Sequence, residues 1–445
     1  MKRILFLLIY FLSPLPLIYI LYQTNPSRYQ DLTSLLAMVL GVLGYSWFIW
    51  QFVLSARPRF LDRLLGLSRV YRLHGIMGIV SIGLALTHKI VQENRFKESF
   101  MTSLGDVSLN LFIFISILSI FFMTNSIISN IPNLERVKQF LMKIKVFGYN
   151  YLRLLHNGTF IGLLFMQYHV LQTSNAKANI RVFQGYMIYF LIALNFYFYH
   201  KILKYWILKT ATYRVQKIVR LSPSMWNIII QQKKGRKLTY QPGQFGFFRF
   251  LSDRISDEEH PFSISSVDKG DGSLSITIKE LGDFTSKIGE IEQGTQVVVD
   301  APYGSLSYMK HRKERDLVFI AGGVGITPMI SMMTSLYESD FSGNITLVWG
   351  MKNQEDFIFK EEWEQYRQKM PNLKIIPVMS REPDYQGEKG YINYTLLEKV
   401  FNEEEVNKAT GFYLCGPNKM MDLVIQSLTE LGIAKKRIHH EKFSL

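Results

Sequence analysis

A single cysteine, Cys415, stands among 445 residues. That excludes a disulfide framework, an iron–sulfur cluster and a cysteine-rich zinc site, so any metal has to be held by other side chains. Acidic groups are also scarce, with 36 Asp and Glu against 51 Lys and Arg and a formal charge of +15. The basic excess is spread along the chain and borders apolar segments, so it makes no patch for a nucleic acid. There is no internal repeat, no low-complexity segment and no calcium-loop pattern. What remains is a chain that is 48% hydrophobic and 14% aromatic, with nine histidines as the available metal ligands and length for two or three cores.

Six apolar segments fill residues 1–206, near 4–22, 32–54, 73–91, 107–129, 148–171 and 182–206. Each is close to the ~20 residues that cross a hydrocarbon core, which predicts a six-helix transmembrane bundle. The first follows Lys2 and Arg3 and has no small-residue cleavage site after it, so it is expected to be a helix kinked near Pro14 and Pro16 rather than a signal peptide. Arg57, Arg59, Arg63, Arg69 and Arg72 fill the connection between segments two and three, and Arg136, Lys138, Lys143 and Lys145 that between four and five. Positive charge stays inside, so both connections and both termini are expected to be cytoplasmic in a multi-pass protein of the cell membrane.

Segment three carries His74 and His88, fourteen residues apart. On a helix that is ~21 Å of rise, with the two side chains within ~40° of one face. Segment five carries His156 and His169, thirteen apart, at nearly the same ~20 Å but ~140° away from a common face. Tilt, or an irregularity near Gly158 or Gly162, has to correct the second pair. If the two helices pack side by side, each level offers two facing imidazoles, the axial ligation of a six-coordinate haem. His74 and His156 are then the cytoplasmic pair and His88 and His169 the outer pair. The alternatives are helix-packing histidines bonded to Ser, Thr or backbone groups, and a proton relay, although segments three and five have no Asp or Glu between their histidines. His200 has no counterpart and is expected to be structural. Arg72 and Arg153 lie near the inner level, within reach of haem propionates or lipid phosphate.

From about residue 207 the pattern changes to short β-type runs broken by Gly, Pro and Asp, which predicts a small antiparallel barrel over 207–312. From 313 to the end, strands, glycine turns and helices alternate as in an α/β, Rossmann-like parallel sheet. "HPFSISS" at 260–266 follows one strand and "LGDFTSKIG" at 281–289 another, the latter expected to open a helix with free N–H groups for a pyrophosphate. "FIAGGVGITPM" at 319–329 and "YLCGPNKMM" at 413–421 are strand-to-turn junctions that open on one edge of the sheet.

The C-terminal half, by these four stretches, resembles the ferredoxin–NADP reductase type of flavoprotein. The two-helix histidine pattern resembles the NADPH oxidase and ferric reductase superfamily, and together they resemble its prokaryotic NADPH oxidases over nearly the whole chain. The resemblance implies a di-haem domain at 1–206, an FAD domain at 207–312 and an NADPH domain at 313–445, with FAD, two b-type haems and NADPH as cofactors. It implies that His260, Pro261, Phe262 and Ser263 form the flavin motif, with Ser263 near the isoalloxazine N5. It further implies that Gly282, Asp283, Phe284 and Thr285 form the FAD pyrophosphate turn, and Gly322, Gly323, Gly325, Thr327 and Pro328 the NADPH motif. Cys415, Gly416 and Pro417 then lie near the nicotinamide, Ser380 and Arg381 at the 2′-phosphate, and Phe443 over the flavin. His74, His88, His156 and His169 are the implied haem ligands. Two departures are visible: His260 stands where the wider reductase family has an arginine, and Phe443 is followed by Ser444 and Leu445.

The implied activity is an NAD(P)H oxidase, with electrons passing from NADPH through FAD and both haems to dioxygen and giving superoxide outside. Ferric chelate and quinone remain as alternative acceptors. A membrane anchor or transporter whose C-terminal half only senses nucleotides is the alternative from another class. The partners expected are NADPH, a small acceptor and the lipid bilayer, without nucleic acid, calcium or an activating subunit.

Overall fold

A computed structural model of the chain describes residues 2–93, 100–123, 131–142, 144, 149–235, 237–401 and 409–442. Lys143, Lys145 and Phe443 lie outside the described residues. Two compact units result, residues 1–203 and 204–444.

The first unit is helical throughout: α1 (Lys2–Leu12), α2 (Leu15–Thr24), α3 (Leu32–Ser55), α4 (Arg59–Leu65), α5 (Leu67–Glu93), α6 (Phe100–Met123), α7 (Pro132–Met142), α8 (Tyr149–Asn157), α9 (Thr159–Gln172), α10 (Ser174–Ala178) and α11 (Ile180–Phe198). The α1–α2 break falls at Ser13 and Pro14, since a proline supplies no N–H to the preceding turn. Side-chain caps start α3 and α11, with Asp31 accepting from the Ser34 amide at 2.9 Å and Asn179 from that of Arg181 at 2.9 Å. Five stretches, 2–24, 32–55, 67–92, 103–122 and 180–209, are long and apolar enough to cross a membrane by length and composition. Expected segment five is instead two helices, because the chain breaks at Gly158 between α8 and α9.

Polarity is turned inward in this unit. Ile4, Leu164, Ile188 and Phe114 are exposed, while Ser46, Gln51, Ser81, Ser108 and Gln167 are buried. Such a bundle suits lipid, because its apolar outer face has no need of water while some of the inner polar groups bond across to neighbouring helices. Tyr45 donates to Gln167 Oε1 at 2.6 Å, and Ser108 donates from α6 to the Gly162 carbonyl of α9 at 2.8 Å. Phe48 and Phe112 stack with ring centroids 4.4 Å apart, joining α3 to α6.

The second unit begins with α12 (Lys204–Lys209) and the strands β1 (Thr212–Ser222), β2 (Met225–Lys234), β3 (Phe245–Leu251), β4 (His260–Ser263), β5 (Ser273–Lys279) and β6 (Gln296–Tyr303). These form one antiparallel sheet in the order β4-β3-β6-β1-β2-β5. In place of the continuous barrel ladder expected from the sequence, its edge strands meet at one bridge, Ile264 to Ile276. A buried triad fixes α12 to β6: Lys204 Nζ lies 2.6 Å from Asp300 Oδ2 and 2.9 Å from the Tyr303 hydroxyl.

The rest is a parallel sheet of β7 (Asp316–Gly322), β8 (Ile345–Met351), β9 (Leu373–Met379), β10 (Glu388–Lys389), β11 (Thr410–Cys415) and β12 (Ile438–His440), ordered β10-β9-β8-β7-β11-β12. The helices are α13 (Thr327–Glu338), α14 (Lys360–Lys369), α15 (Tyr394–Val400) and α16 (Asn418–Glu430). Alternate residues of the strands enter two separate cores: Phe319, Trp349 and Tyr413 lie on the face of α13 and α14, and Ile320, Val348 and Leu414 on that of α15 and α16. Apolar on both faces, these strands are the centre of a doubly covered sheet. The two sheets are joined by the buried Lys279–Asp356 pair at 3.2 Å and by the Gly243 amide, which donates to Ser331 Oγ at 2.8 Å.

Candidate functional site

In the first unit the four histidines form two levels. His74 and His156 face each other with ring centroids 6.1 Å apart and planes at 61°. Two imidazoles that hold one metal from opposite sides at about 2 Å per bond have centroids about 6 Å apart. Their polar neighbours fix which nitrogen is free. Ser119 gives its proton to the Ile115 carbonyl at 2.8 Å, so its oxygen accepts from His156 Nδ1 at 2.9 Å, and the lone pair of the neutral ring is on Nε2. At the other level His88 Nδ1 donates to the Ala37 carbonyl at 2.7 Å, which again leaves the lone pair on Nε2. His74 Nδ1 is buried and has no hydrogen bond of ordinary geometry among the described residues, the Gln51 backbone being a polar neighbour of the ring.

An irregularity of the kind that the thirteen-residue spacing calls for falls at Gly158. The Gly158 amide donates to the Leu155 carbonyl at 2.8 Å, and Thr159 Oγ1 donates to the His156 carbonyl at 2.8 Å, so α8 ends in a tight turn before α9 begins. Gly162, the other candidate for the irregularity, lies inside α9, where a Cβ would come within 3.0 Å of the Phe112 ring.

Two glycines that the sequence did not single out complete the outer level. A Cβ on Gly41 of α3 would stand 2.9 Å from His88 Cε1 and Nδ1, and one on Gly105 of α6 would stand 3.0 Å from the same atoms of His169. Each outer imidazole thus rests on a helix where a side chain is missing. His200 lies in a π-helical turn over Tyr199–Leu203, beside Lys201, whose charge acts on His156.

In the second unit β4 pairs with β3, setting Phe248 opposite His260 and Phe245 opposite Ser263. The His260 ring stacks on Phe284 at 3.8 Å between centroids, and Phe262 lies 6.4 Å from the same ring, so the 260–263 and 282–285 motifs converge. Ser263 is buried at the strand's end. The turn after Gly282 differs from the expected open helix start. It leads into a six-residue 3₁₀ helix, Thr285–Glu290, and Thr285 Oγ1 accepts from the Leu281 and Gly282 amides at 2.9 and 3.0 Å. Those two N–H groups are satisfied within the turn.

The two glycine junctions lie side by side because β7 and β11 are parallel neighbours, with Ala321 opposite Cys415. A Cβ on Gly325 would stand 2.2 Å from the Cys415 carbonyl, and one on Gly416 3.0 Å from the Gly322 amide. Only glycine permits that approach. Gly323 has φ +54, and its carbonyl accepts from Trp349 Nε1 at 3.1 Å. Thr327 Oγ1 donates to Val324 at 2.9 Å, and Pro328 occupies the first turn of α13, where no N–H is needed. Pro417 precedes α16. Burial, with the Glu441 carboxylate adding to it, pushes the Cys415 thiol well above its ordinary range, so it is a neutral wall rather than a nucleophile. Glu441, buried between Gly304 and Cys415, was not singled out by the sequence; its place two residues before Phe443 was the available signal.

At the carboxyl end of β9 both the Ser380 amide and its hydroxyl donate to the Met351 carbonyl, at 2.9 and 3.0 Å. The Arg381 amide donates to the Lys352 carbonyl at 2.8 Å, and its guanidinium is exposed. Lys352 and Arg381 therefore place two cations at adjacent strand ends. Elsewhere, His311, Glu314 and His439 bring potential ligand atoms within 4.8 Å of one another. Stacked at 3.7 Å and 21°, the two imidazole planes do not point at one ion, and Glu314 is bonded to His439 at 2.6 Å and Tyr413 at 2.5 Å. The group is a hydrogen-bonded tie between the 311–314 segment and strands β11 and β12.

An FAD-binding domain family matches residues 211–307, and an oxidoreductase NAD-binding domain family matches residues 319–426. Residues 211–426 carry FAD- and NAD-binding domains of the ferredoxin–NADP reductase type. With them, residues 211–426 are equipped to bind FAD and NAD(P)H. It is 26% identical over 235 residues to the toluate 1,2-dioxygenase electron transfer component of Pseudomonas putida, covering 52% of this chain and 66% of that one. It is 28% identical to the phenol hydroxylase P5 protein of Acinetobacter pittii, covering 52% of this chain and 64% of that one. The chain thus spans less than two thirds of the length of these relatives. The FAD/NAD-binding domain of nitric oxide dioxygenase from Vibrio cholerae superposes at a TM-score of 0.45 and 24% identity, over 52% of this chain and 97% of that one.

Proposed function

We propose that this chain is a transmembrane NADPH oxidase of the NADPH oxidase and ferric reductase superfamily, passing electrons from cytoplasmic NADPH through FAD and two b-type haems to dioxygen outside. The facing of His74 and His156 at 6.1 Å, on helices that repeat a histidine one level further along, carries the proposal. The donor set fits haem: four imidazoles, two of them with Nδ1 tied to an acceptor, and two glycine cradles beside the outer rings. When bound, FAD takes two electrons as hydride and releases them singly, and haem carries one at a time.

The chain's own residues do the remaining work. His74 and His156 hold the inner group, and His88 and His169 the outer one, with Arg72 and Arg153 in reach of inner carboxylates. His260, Pro261, Phe262 and Ser263 bound the flavin face, and the Gly282–Thr285 turn meets its pyrophosphate with what N–H groups Thr285 leaves over. Gly322, Gly323, Gly325, Thr327 and Pro328 let NADPH phosphates approach the backbone at the start of α13. The neutral Cys415, with Gly416 and Pro417, walls the nicotinamide side and excludes water from hydride transfer. Arg381, with Ser380, takes the 2′-phosphate, for which a guanidinium fork is the apt donor. Phe443 covers the flavin until nicotinamide displaces it.

Short outer connections at 23–31, 92–106 and 172–181 favour a small acceptor over an iron chelate that needs a binding domain. The test is NADPH-driven cytochrome c reduction by the haem- and FAD-loaded protein, with and without superoxide dismutase. Suppression by the dismutase is the expected result. Rapid reduction indifferent to the dismutase transfers the assignment to ferric or quinone acceptors, and absence of a b-type haem spectrum refutes the electron path.

A further inference from the structure

The helix α7 has 11 residues, about 16 Å, too few to cross a hydrocarbon core. It nevertheless presents Leu134 at 39% exposure, Val137 at 52% and Phe140 at 66%. At about 100° per residue these three fall within about 60° either side of Val137, one continuous apolar stripe. Glu135 and Gln139 fall on the opposite face, where Gln139 Nε2 donates to Glu135 Oε1 at 2.9 Å. Arg136 and Lys138 flank the stripe, one on each side; Arg136 is exposed, and Lys138 is buried and engaged within the protein. An apolar stripe edged by cations, with a polar face behind it, is the pattern of a helix that lies in a membrane interface rather than through it. Its surroundings carry matching charge. Because α5 and α6 are each long and apolar enough to cross once, α4 before them and α7 after them come to the same end of the bundle. There Arg63, Arg69 and Arg136 are exposed, and Phe60 is exposed on α4. The acids of those two connections are turned to internal use: Glu135 by Gln139, and the buried Asp62 by the Leu67 amide, which donates to it at 3.0 Å.

We propose that α7 is a docking surface for anionic lipid, an inference that rests on the membrane reading of the first unit given above. The helix lies in the membrane plane with Leu134, Val137 and Phe140 among acyl chains and Arg136 reaching a phosphate, and Arg63 and Arg69 gather further anionic headgroups at the same level. Two observations favour lipid over a protein partner. The stripe has the chemistry of the bundle's outer face, where Ile4, Phe114 and Ile188 are exposed, and α7 is joined to that bundle through α6 and α8. An apolar groove on another protein would leave the exposed arginines unmatched, whereas a leaflet offers acyl chains and phosphates at the two depths the helix needs.

The test uses the full-length protein in nanodiscs of mixed phosphatidylglycerol and phosphatidylcholine. Val137→Cys, Phe140→Cys, Gln139→Cys and, as a control on α11, Ile188→Cys each carry a nitroxide; Cys415 is buried, and the unsubstituted protein checks that it takes up no label. Power saturation compares oxygen, which concentrates in hydrocarbon, with a nickel chelate, which stays in water. Oxygen is expected to dominate at Val137→Cys, Phe140→Cys and Ile188→Cys, and nickel at Gln139→Cys. Nickel access at positions 137 and 140 equal to that at 139 overturns the proposal, as does low access to both reagents there, which places protein over the stripe. Nickel access at Ile188→Cys instead overturns the membrane reading beneath it. Trace spin-labelled lipids read the headgroup. The motionally restricted fraction of phosphatidylglycerol is expected to exceed that of phosphatidylcholine by about twofold, the larger gain at each arginine being averaged over the whole lipid shell. The excess should fall by about half or more in Arg63→Gln/Arg69→Gln/Arg136→Gln, with the nitroxide at Phe140→Cys still dominated by oxygen. Equal fractions in wild type, or an excess that survives the triple variant, overturn the assignment of these arginines to anionic lipid.

Discussion

Replacing Gly41 by alanine sets two effects of opposite sign against each other. Alanine in a helix interior is favoured over glycine by about 1 kcal/mol, so α3 on its own gains from the change. The new Cβ, however, would stand 2.9 Å from His88 Cε1 and Nδ1, against ordinary carbon contacts of about 3.5–4.0 Å. The ring has to withdraw by more than half an ångström. It cannot do so freely, because His88 Nδ1 bonds the Ala37 carbonyl at 2.7 Å, one turn earlier on the same α3. Overpacking of this kind costs about 1–3 kcal/mol, which exceeds the helix gain. Metal–ligand distances tolerate only about 0.2 Å, and loss of a supporting hydrogen bond typically weakens metal binding about 10–100-fold. The expected outcome is a protein that folds and binds FAD normally but loses its outer haem on dialysis, its haem-to-FAD ratio falling from two towards one. Gly83→Ala on α5 is the control, since a Cβ there meets nothing within 4 Å. If Gly41→Ala keeps two haems through the same dialysis with an unchanged spectrum, His88 is not held against Gly41 in the ligating state, and the outer ligand assignment fails.

Lys204→Met leaves Asp300 buried without its cation. A loss of about 3–5 kcal/mol is expected in denaturant unfolding followed by flavin fluorescence, and Lys204→Met/Asp300→Leu should recover most of it. The His311 cluster makes the second unit acid-sensitive. Burial, helped by His439, holds the His311 imidazole below its ordinary 6.5, so the unfolded chain takes the proton first and stability falls as pH drops below 6.5. Burial acts to raise the Glu314 carboxyl, but hydrogen bonds from His439 and Tyr413 outweigh it and hold the group below 4.5, so a second loss begins as pH falls under that value. Melting temperatures at pH 7.5, 5.5 and 4 should fall in two stages, the first absent in His311→Phe. Arg381→Ala is expected to raise KM for NADPH about tenfold with little change for NADH; equal effects on both would remove Arg381 from the 2′-phosphate site.

Much of this architecture is legible in the sequence because it depends on local pattern. Apolar length marks the spans, a glycine turn between strand and helix marks the nucleotide junctions, and Pro14 marks the first kink. The Gly158 break is legible as a need, since thirteen residues do not return to one helix face, although the sequence left Gly158 and Gly162 equally open. Gly41, Gly105, Ala37 and Ser119 were out of reach. Their roles come from how α3 and α6 are rotated against the histidine helices, and no single-helix periodicity contains that rotation. The turn at Gly282 was misjudged for a related reason: a threonine three residues on caps its amides from within, and the pattern alone does not say which partner an amide takes.

The interruption at Gly158 has a consequence for how this protein can change. In an unbroken helix, inserting or deleting one residue rotates everything beyond it by ~100°. Here the inner histidine sits on α8 and the outer one on α9, so the two levels can be adjusted separately. A substitution that re-aims His169 through the α6–α9 contact need not disturb His156. The split segment behaves as two mounts rather than one rod, and each histidine level can drift in sequence and be re-optimised while the other holds.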